Sequence, residues 1–364
     1  MRVASTGLVE REVLAELIAL SAVAGEHLLV IGPPGTGKSE VVRRVARAMG
    51  GRYFEYLLGR FTEPSEIFGP VDLRKLREGV VETETRDMLP EAEIAFLDEV
   101  FLGSTAILNT LLALLNERTF RRGHTQMSCP LRVCVGASNQ LPEDETLAAF
   151  ADRFLARVFV DAVPDHALES LLQGGWSLGQ TKVGPGEAQV ADLDVLAARA
   201  RAVDVEAVRG ELAACVRILR GAGIGLSDRR AVKVQRLVAA AAALDGRDKA
   251  TPADLWPLIY AVPTREEQDE ARVLLGDRLK ASTSAALIAA AEEASAGPAA
   301  RAARLARVGK ELLDLPAESV TDGKAHKLKL EGVARENDAG FAADALPPEL
   351  TDLKSRIAAV LGGP

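Results

Sequence analysis

The stretch Gly32-Pro33-Pro34-Gly35-Thr36-Gly37-Lys38-Ser39 constrains this chain more than any other feature. It follows the apolar run Leu28-Leu29-Val30-Ile31, which predicts a short buried strand, and it leads into 40–49, which predicts a helix. Three glycines in a strand-to-helix turn let several consecutive backbone N–H groups point inward, and the helix adds the positive end of its dipole. Phosphate is the guest that such a turn suits. Lys38 is placed to reach terminal phosphates, and the Ser39 hydroxyl to hold a magnesium ion between them. The alternative is a glycine turn that merely joins strand to helix.

The rest of the first half alternates in the same way. Residues 8–24 carry apolar positions at three-to-four spacing and predict an amphipathic helix. Further strands are expected at 53–58, 94–99, 131–137 and 157–163, and helices at 66–68, 105–118 and within 141–154. A hairpin is expected over 119–131, turning at Arg122-Gly123, and 71–90 is weakly patterned. Strands and helices in alternation predict a parallel sheet covered on both faces. After about residue 165 the strand signals stop. Gly174-Gly175 and Gly184-Pro185-Gly186 read as a linker, followed by helices near 190–221, 228–245 and 252–261. Ala-rich helix is expected over 265–313, and a final helix near 348–361. The division is therefore 1–165 as an α/β nucleotide-binding unit, 166–205 as linker or insert, 206–264 as a helical lid, and 265–364 as a helical region of unassigned fold.

Hydrolysis of a bound nucleotide needs a group to hold metal and another to activate water. Ile94-Ala95-Phe96-Leu97 runs directly into Asp98 and Glu99, at the strand end where open α/β sheets bind ligands. Asp98 could hold magnesium and Glu99 could polarise a water, although both could also cap the following helix. Asn139 ends a neighbouring candidate strand and could share that water, or serve only as a turn residue. Arg153 and Arg157 both enter the last strand and could project a guanidinium toward a neighbouring subunit. Ser227-Asp228-Arg229-Arg230 opens a helix with Ser227 as N-cap; two arginines in a first turn oppose the helix dipole unless an anion faces them, the alternative being a solvated basic turn.

Composition narrows the partners. With 364 residues, 44 Lys and Arg against 52 Asp and Glu, and a net charge of −8, the chain lacks the basic excess that a nucleic-acid backbone requires. Cys129, Cys134 and Cys215 are odd in number and lack CxxC spacing, which argues against a disulfide framework or zinc site and for a reducing compartment. His27, His124, His166 and His326 are too dispersed to suggest a metal site. No stretch has the length of a membrane span, so a cytoplasmic location is expected.

In this order, these motifs resemble the AAA+ ATPases, and within them the MoxR family, with a particular likeness to the branch called regulatory ATPase variant A. The likeness extends through Phe54-Glu55-Tyr56-Leu57, Glu66-Ile67-Phe68-Gly69-Pro70, Leu89–Glu99, Ala106–Leu112, Asn116-Glu117-Arg118, Ala137-Ser138-Asn139, Leu141-Pro142-Glu143 and Asp152-Arg153 to Ser227–Arg230, over roughly 5–262. It implies an α/β P-loop core with a five-stranded parallel sheet, a helical lid, and ATP and magnesium as cofactors. Gly32 to Ser39 would then be Walker A and Asp98 and Glu99 Walker B, with Ser39 and Asp98 on the metal and Glu99 as base. Asn139 would be sensor 1, Arg153 the arginine finger acting in trans, and Arg229 sensor 2, with Arg230 the second choice. Leu8 and Val9 fall where the family contacts adenine. The resemblance also implies ring hexamers, chaperone-like remodelling, and a partner with a von Willebrand factor A domain. Residues 265–364 look too short and too helical for the β-rich domain that follows the lid in the regulatory ATPase variant A branch. Alternatives from other classes are a nucleic-acid motor or loader, and an assembly scaffold with little turnover.

Overall fold

The computed structural model describes residues 9–163, 167–180, 189–314, 326–327, 330–331, 333–334 and 348–361. Its strands are β1 (Leu28–Ile31), β2 (Tyr53–Leu57), β3 (Ile94–Asp98), the hairpin pair β4 (Thr119–Arg122) and β5 (Thr125–Ser128), β6 (Val133–Ser138) and β7 (Ala156–Phe159). All but the hairpin form one five-stranded parallel sheet in the order β2-β3-β6-β1-β7. In this sheet β1 lies between β6 and the edge strand β7, with Leu28 opposite Val135 and Ala156, and Ile31 opposite Ser138 and Phe159. The phosphate-loop candidate thus leaves the sheet from an interior strand flanked on both sides.

Strand residues alternate faces, and the apolar runs fill both. Leu28, Val30, Ile94, Phe96, Val133 and Val135 pack on one side with α1 (Glu12–Ala24) and α2 (Lys38–Met49). Leu29, Ile31, Ala95, Leu97 and Cys134 pack on the other. That second face is covered by α3 (Pro64–Phe68), by α5 (Thr105–Glu117), and by α6 (Glu145–Ala151) through Phe150. The weakly patterned 71–90 contains α4 (Leu73–Arg77) and a bridge between Val71 and Thr83. The last strand stops at Phe159 rather than 163. Val160 donates the final ladder bond to Ile31, after which β1 turns into the loop and offers no further partner.

Beyond the sheet the described residues are helical: α7 (Leu168–Gln180), α8 (Val190–Ala202), α9 (Glu206–Gly221), α10 (Asp228–Leu244), α11 (Pro257–Tyr260), α12 (Arg265–Leu279), α13 (Ile288–Leu313) and α14 (Pro348–Leu361). Gly174-Gly175, read as linker, lies inside α7. Residues 190–202 are not linker either, because Leu193, Ala197 and Ala200 of α8 are buried and the helix packs on α10 and α1. The expected 190–221 helix breaks at Val203, and Asp204 pairs there with the strand-like segment at Lys249. Gly184-Pro185-Gly186 and His166 lie outside the described residues. One apolar mass runs from the α1 face of the sheet through α8 to α13, ending at Ala294, and a separate small cluster joins Leu330, Val333, Leu350, Leu353 and Ile357.

Candidate active site

Gly35 and Gly37 adopt φ of +80° and +79°, a region that costs L residues about 1 kcal/mol or more, and so turn the loop back over the start of α2. Gly32 is needed for a different reason: a Cβ there would stand 2.1 Å from the Val160 carbonyl oxygen. Lys38 is buried and folds its ammonium over the loop, donating to the carbonyls of Gly32 (2.6 Å) and Pro33 (2.9 Å). Burial lowers its pKa, opposed by Asp98 and Glu99. Ser39, half-buried, is the second residue of α2.

Parallel pairing brings the ends of β3 and β6 beside this loop. Asp98 ends β3 and accepts the Glu99 N–H at 3.0 Å. Glu99 holds a left-handed φ of +50°, which turns its carboxylate away from the strand direction. Asn139, immediately after β6, donates from Nδ2 to Glu99 Oε1 at 2.7 Å. The turn reading of Asn139 is therefore incomplete, because its amide orients the neighbouring strand's carboxylate. Burial, and then Asp98, raise the Glu99 pKa above its ordinary value.

Lys38, Ser39, Asp98, Glu99 and Asn139 thus converge at the carboxyl ends of β1, β3 and β6, around a loop whose Pro33, Pro34, Gly35 and Gly37 are exposed. This donor set fits a polyphosphate with its divalent cation. Inward N–H groups and an ammonium suit the phosphates, and the hard oxygens of Ser39 and Asp98 suit magnesium. Beside the loop lies a cavity of about 340 Å³ lined by Gly32, Pro33, Asn139, Phe159, Asp161 and Arg265. Val9 is half-buried just ahead of α1, whereas Leu8 lies outside the described residues.

The arginines fall elsewhere. From Glu99, α5 runs back about 20 Å over its 13 residues to the opposite end of the strands. There Asn116 Oδ1 accepts a hydrogen bond from Arg229 (2.5 Å). Arg229 therefore does not reach the phosphate loop of its own chain, contrary to a sensor 2 role within one site. Its neighbour Arg230, 1% exposed, donates to the carbonyls of Ala261, Phe154 and Leu155 and to Asp152 Oδ1. That guanidinium is fully engaged and fastens α10 beneath β7. Arg157 is buried in β7, bonded to the Pro263 carbonyl, and its pKa is lowered to about 9 by burial and then by Arg230. It cannot project as an arginine finger. Arg153 remains, half-buried at the same end, its Nε without an acceptor among the described residues.

Sequence reasoning missed Arg11, Asp161 and Arg265. Arg11 bonds the Thr36 carbonyl from 25 residues away, and Arg265 grips the Asp161 carboxylate from the first turn of α12, with bonds of 2.7 and 2.9 Å, while its guanidinium lies 5.3 Å over the Phe159 ring. Neither contact has a spacing signature.

Comparison with known proteins bears on the family and the fold. Residues 1–198 match the family model described as the MoxR domain in the MoxR-vWA-beta-propeller ternary systems, and 205–273 match an AAA lid domain. Two uncharacterized proteins of Methanocaldococcus jannaschii are each 36% identical, over 248 and 247 residues; each match covers 68% of this chain but only 65% and 64% of the relatives' own lengths. Protein MoxR of Paracoccus denitrificans is 29% identical over 283 residues, covering 68% of this chain and 80% of that protein. The crystal structure of a Cytophaga hutchinsonii protein superposes with a TM-score of 0.62 at 17% identity, over 78% of this chain and 93% of the other. A phosphate loop after an interior strand of a 2-3-6-1-7 sheet, a paired Glu99 and Asn139, a helical lid and a family match over 1–198 lead to one assignment: this chain belongs to the MoxR family of AAA+ ATPases.

Proposed function

We propose that the chain binds Mg-ATP and hydrolyses it within an oligomeric ring of six members, as a chaperone-like remodelling factor acting beside a von Willebrand factor A-domain partner. The observation that carries the hydrolytic reading is the Asn139 amide on the Glu99 carboxylate, beside Asp98 and Lys38. When bound, magnesium and ATP supply an electrophilic terminal phosphorus. Glu99 takes the proton of the attacking water, and its raised pKa makes it a stronger base than an ordinary carboxylate. Asn139 fixes the direction in which Glu99 faces. Lys38, which now donates to two loop carbonyls, would turn to phosphate oxygens, and Ser39 and Asp98 would hold the cation.

The ring is supported by the positions of two arginines. Arg153 and Arg229 lie at the opposite end of the sheet, where a neighbour's nucleotide could meet them. Partnership with a von Willebrand factor A-domain protein is supported by the name of the matching family. The narrower likeness to the regulatory ATPase variant A branch, the cytoplasmic location, and adenine contact by Leu8 and Val9 belong to the same proposal. The division into 1–165, 166–205, 206–264 and 265–364 also belongs to it, with 190–202 a helix of the insert that precedes the lid. Among the described residues no helix is long and apolar enough to cross a membrane.

The test is magnesium-dependent phosphate release per subunit against protein concentration. Arg153→Ala and Glu99→Gln chains, each inactive alone, should recover activity when mixed, because a mixed interface joins an intact Glu99 to an intact Arg153. Activity in Arg153→Ala equal to the unaltered chain would refute the shared site.

A further inference from the structure

Glu10-Arg11-Glu12 reads as a solvated helix start. Arg11 is instead 7% exposed, and its guanidinium is spent on main-chain carbonyls. Nε donates to Thr36 in the phosphate loop (2.8 Å), Nη2 to Asp161 beyond β7 (2.8 Å), and Nη1 to Glu10 (2.6 Å). Three segments distant in sequence are thereby joined by one rigid, planar cation: the stretch ahead of α1, the phosphate loop, and the exit of the edge strand. The geometry of a lysine could not do this, since an ammonium lacks the fixed fork.

The join continues outward. Asp161, whose carbonyl Arg11 holds, gives its carboxylate to Arg265 at the start of α12. Glu10, next to the clamp, sits at a left-handed φ of +54°, so the chain accepts local strain where it enters the join. Burial lowers the Arg11 pKa, partly offset by Glu10, Asp161 and Glu12, and Arg11 in turn lowers that of Lys38.

We propose that Arg11 is a positioning residue for nucleotide binding: it fixes the distance between the segment carrying Val9 and the phosphate loop, so that one preformed unit meets both ends of an adenine nucleotide. The proposal rests on the nucleotide reading of the loop and on the proposed adenine contact by Val9, and deepens both. A ligand held at both ends gains affinity only when the two contact points keep their spacing, because the second contact then forms at high effective concentration. A ligand that touches the loop alone has no such dependence. Polyphosphate without a base is that ligand.

The experiment uses the full chain with a fluorescent ADP derivative, competed by ADP and separately by inorganic tripolyphosphate, in the unaltered protein, Arg11→Lys and Arg11→Met. Arg11→Lys keeps the charge near Lys38 and loses the three-way fork. The expected result is about a tenfold loss of ADP affinity in Arg11→Lys with less than about a twofold loss for tripolyphosphate. Arg11→Met should lose ADP at least as strongly. Equal losses for both ligands in Arg11→Lys, or no loss with only a lowered melting temperature, would overturn the proposal and leave Arg11 as a field or stability residue. Should Arg11→Met fail to fold, the Arg11→Lys ratio alone decides. Failure of the unaltered chain to bind ADP would overturn the nucleotide reading as well, which separates that outcome from failure of the Arg11 proposal by itself.

Discussion

Replacing Arg230 by Met, and in a separate protein Arg229 by Ala, puts two chain neighbours to opposite tests. Arg230 is 1% exposed and donates to three carbonyls and to Asp152. Methionine keeps much of the aliphatic stem but leaves the carbonyls of Ala261, Phe154 and Leu155 without donors in a buried place. Breaking such an arrangement from one side costs about 3–5 kcal/mol. At the usual unfolding entropy per residue, a chain of 364 residues converts that into a melting temperature lower by about 4–7 °C. Among the described residues the Arg229 side chain makes one hydrogen bond, to Asn116, from a half-buried position. Its truncation should stay within about 0.5 kcal/mol, under about 1 °C. Phosphate release should behave the other way. Arg229→Ala loses at least about tenfold if the guanidinium serves a neighbour's nucleotide, whereas Arg230→Met, assayed well below its melting temperature, loses less. Scanning calorimetry and a phosphate-release assay on the same preparations read both. A melting temperature for Arg230→Met within about 1 °C of the unaltered chain would refute the assignment of Arg230 as the fastening between α10 and the sheet.

Glu99→Gln should abolish phosphate release. The Glu99 pKa is raised in the folded chain, so its contribution to stability is present below the unfolded value and is lost as pH rises through the folded value. Gln should therefore raise the melting temperature at neutral pH, with the gain vanishing in acid, as calorimetry at two pH values would show. His27 has the opposite sign. It is fully buried, its Nδ1 accepts the Cys134 N–H at 3.0 Å, and burial pulls its pKa well down. Stability should fall by up to about 1.4 kcal/mol per pH unit below about pH 6.5, a slope that urea titration would find reduced in His27→Gln. Gly32→Ala should destabilise by at least about 1–3 kcal/mol, because its methyl group meets the Val160 carbonyl, and chemical denaturation gives that directly.

The sheet and the convergence of Lys38, Asp98, Glu99 and Asn139 were legible because each is announced by a local pattern. Four-residue apolar runs such as Leu28-Leu29-Val30-Ile31 stop at glycine or acid, and Asp98-Glu99 sits where a parallel strand must end. The lid's placement was not legible. Nothing in Ser227-Asp228-Arg229-Arg230 tells which arginine turns inward, since guanidinium bonds to carbonyls depend on where other chain segments pass. Arg11 was hidden for the same reason, between two glutamates that suggest solvent. Gly174-Gly175 misled through the ordinary link of glycine to turns, although each glycine costs a helix only about 1 kcal/mol.

The apolar mass that begins at the sheet and ends at Ala294 makes the lid inseparable from the nucleotide-binding strands in one respect. Leu28 and Val30 share a single buried cluster with Trp256, Leu275 and Ala291, so solvent reaches any of them only when it reaches many. Opening this region is then a collective event rather than the release of a loose cap. A ligand at the phosphate loop slows that event by mass action wherever it is read, and amide exchange along α10 and α12 should become slower in step with exchange in β1.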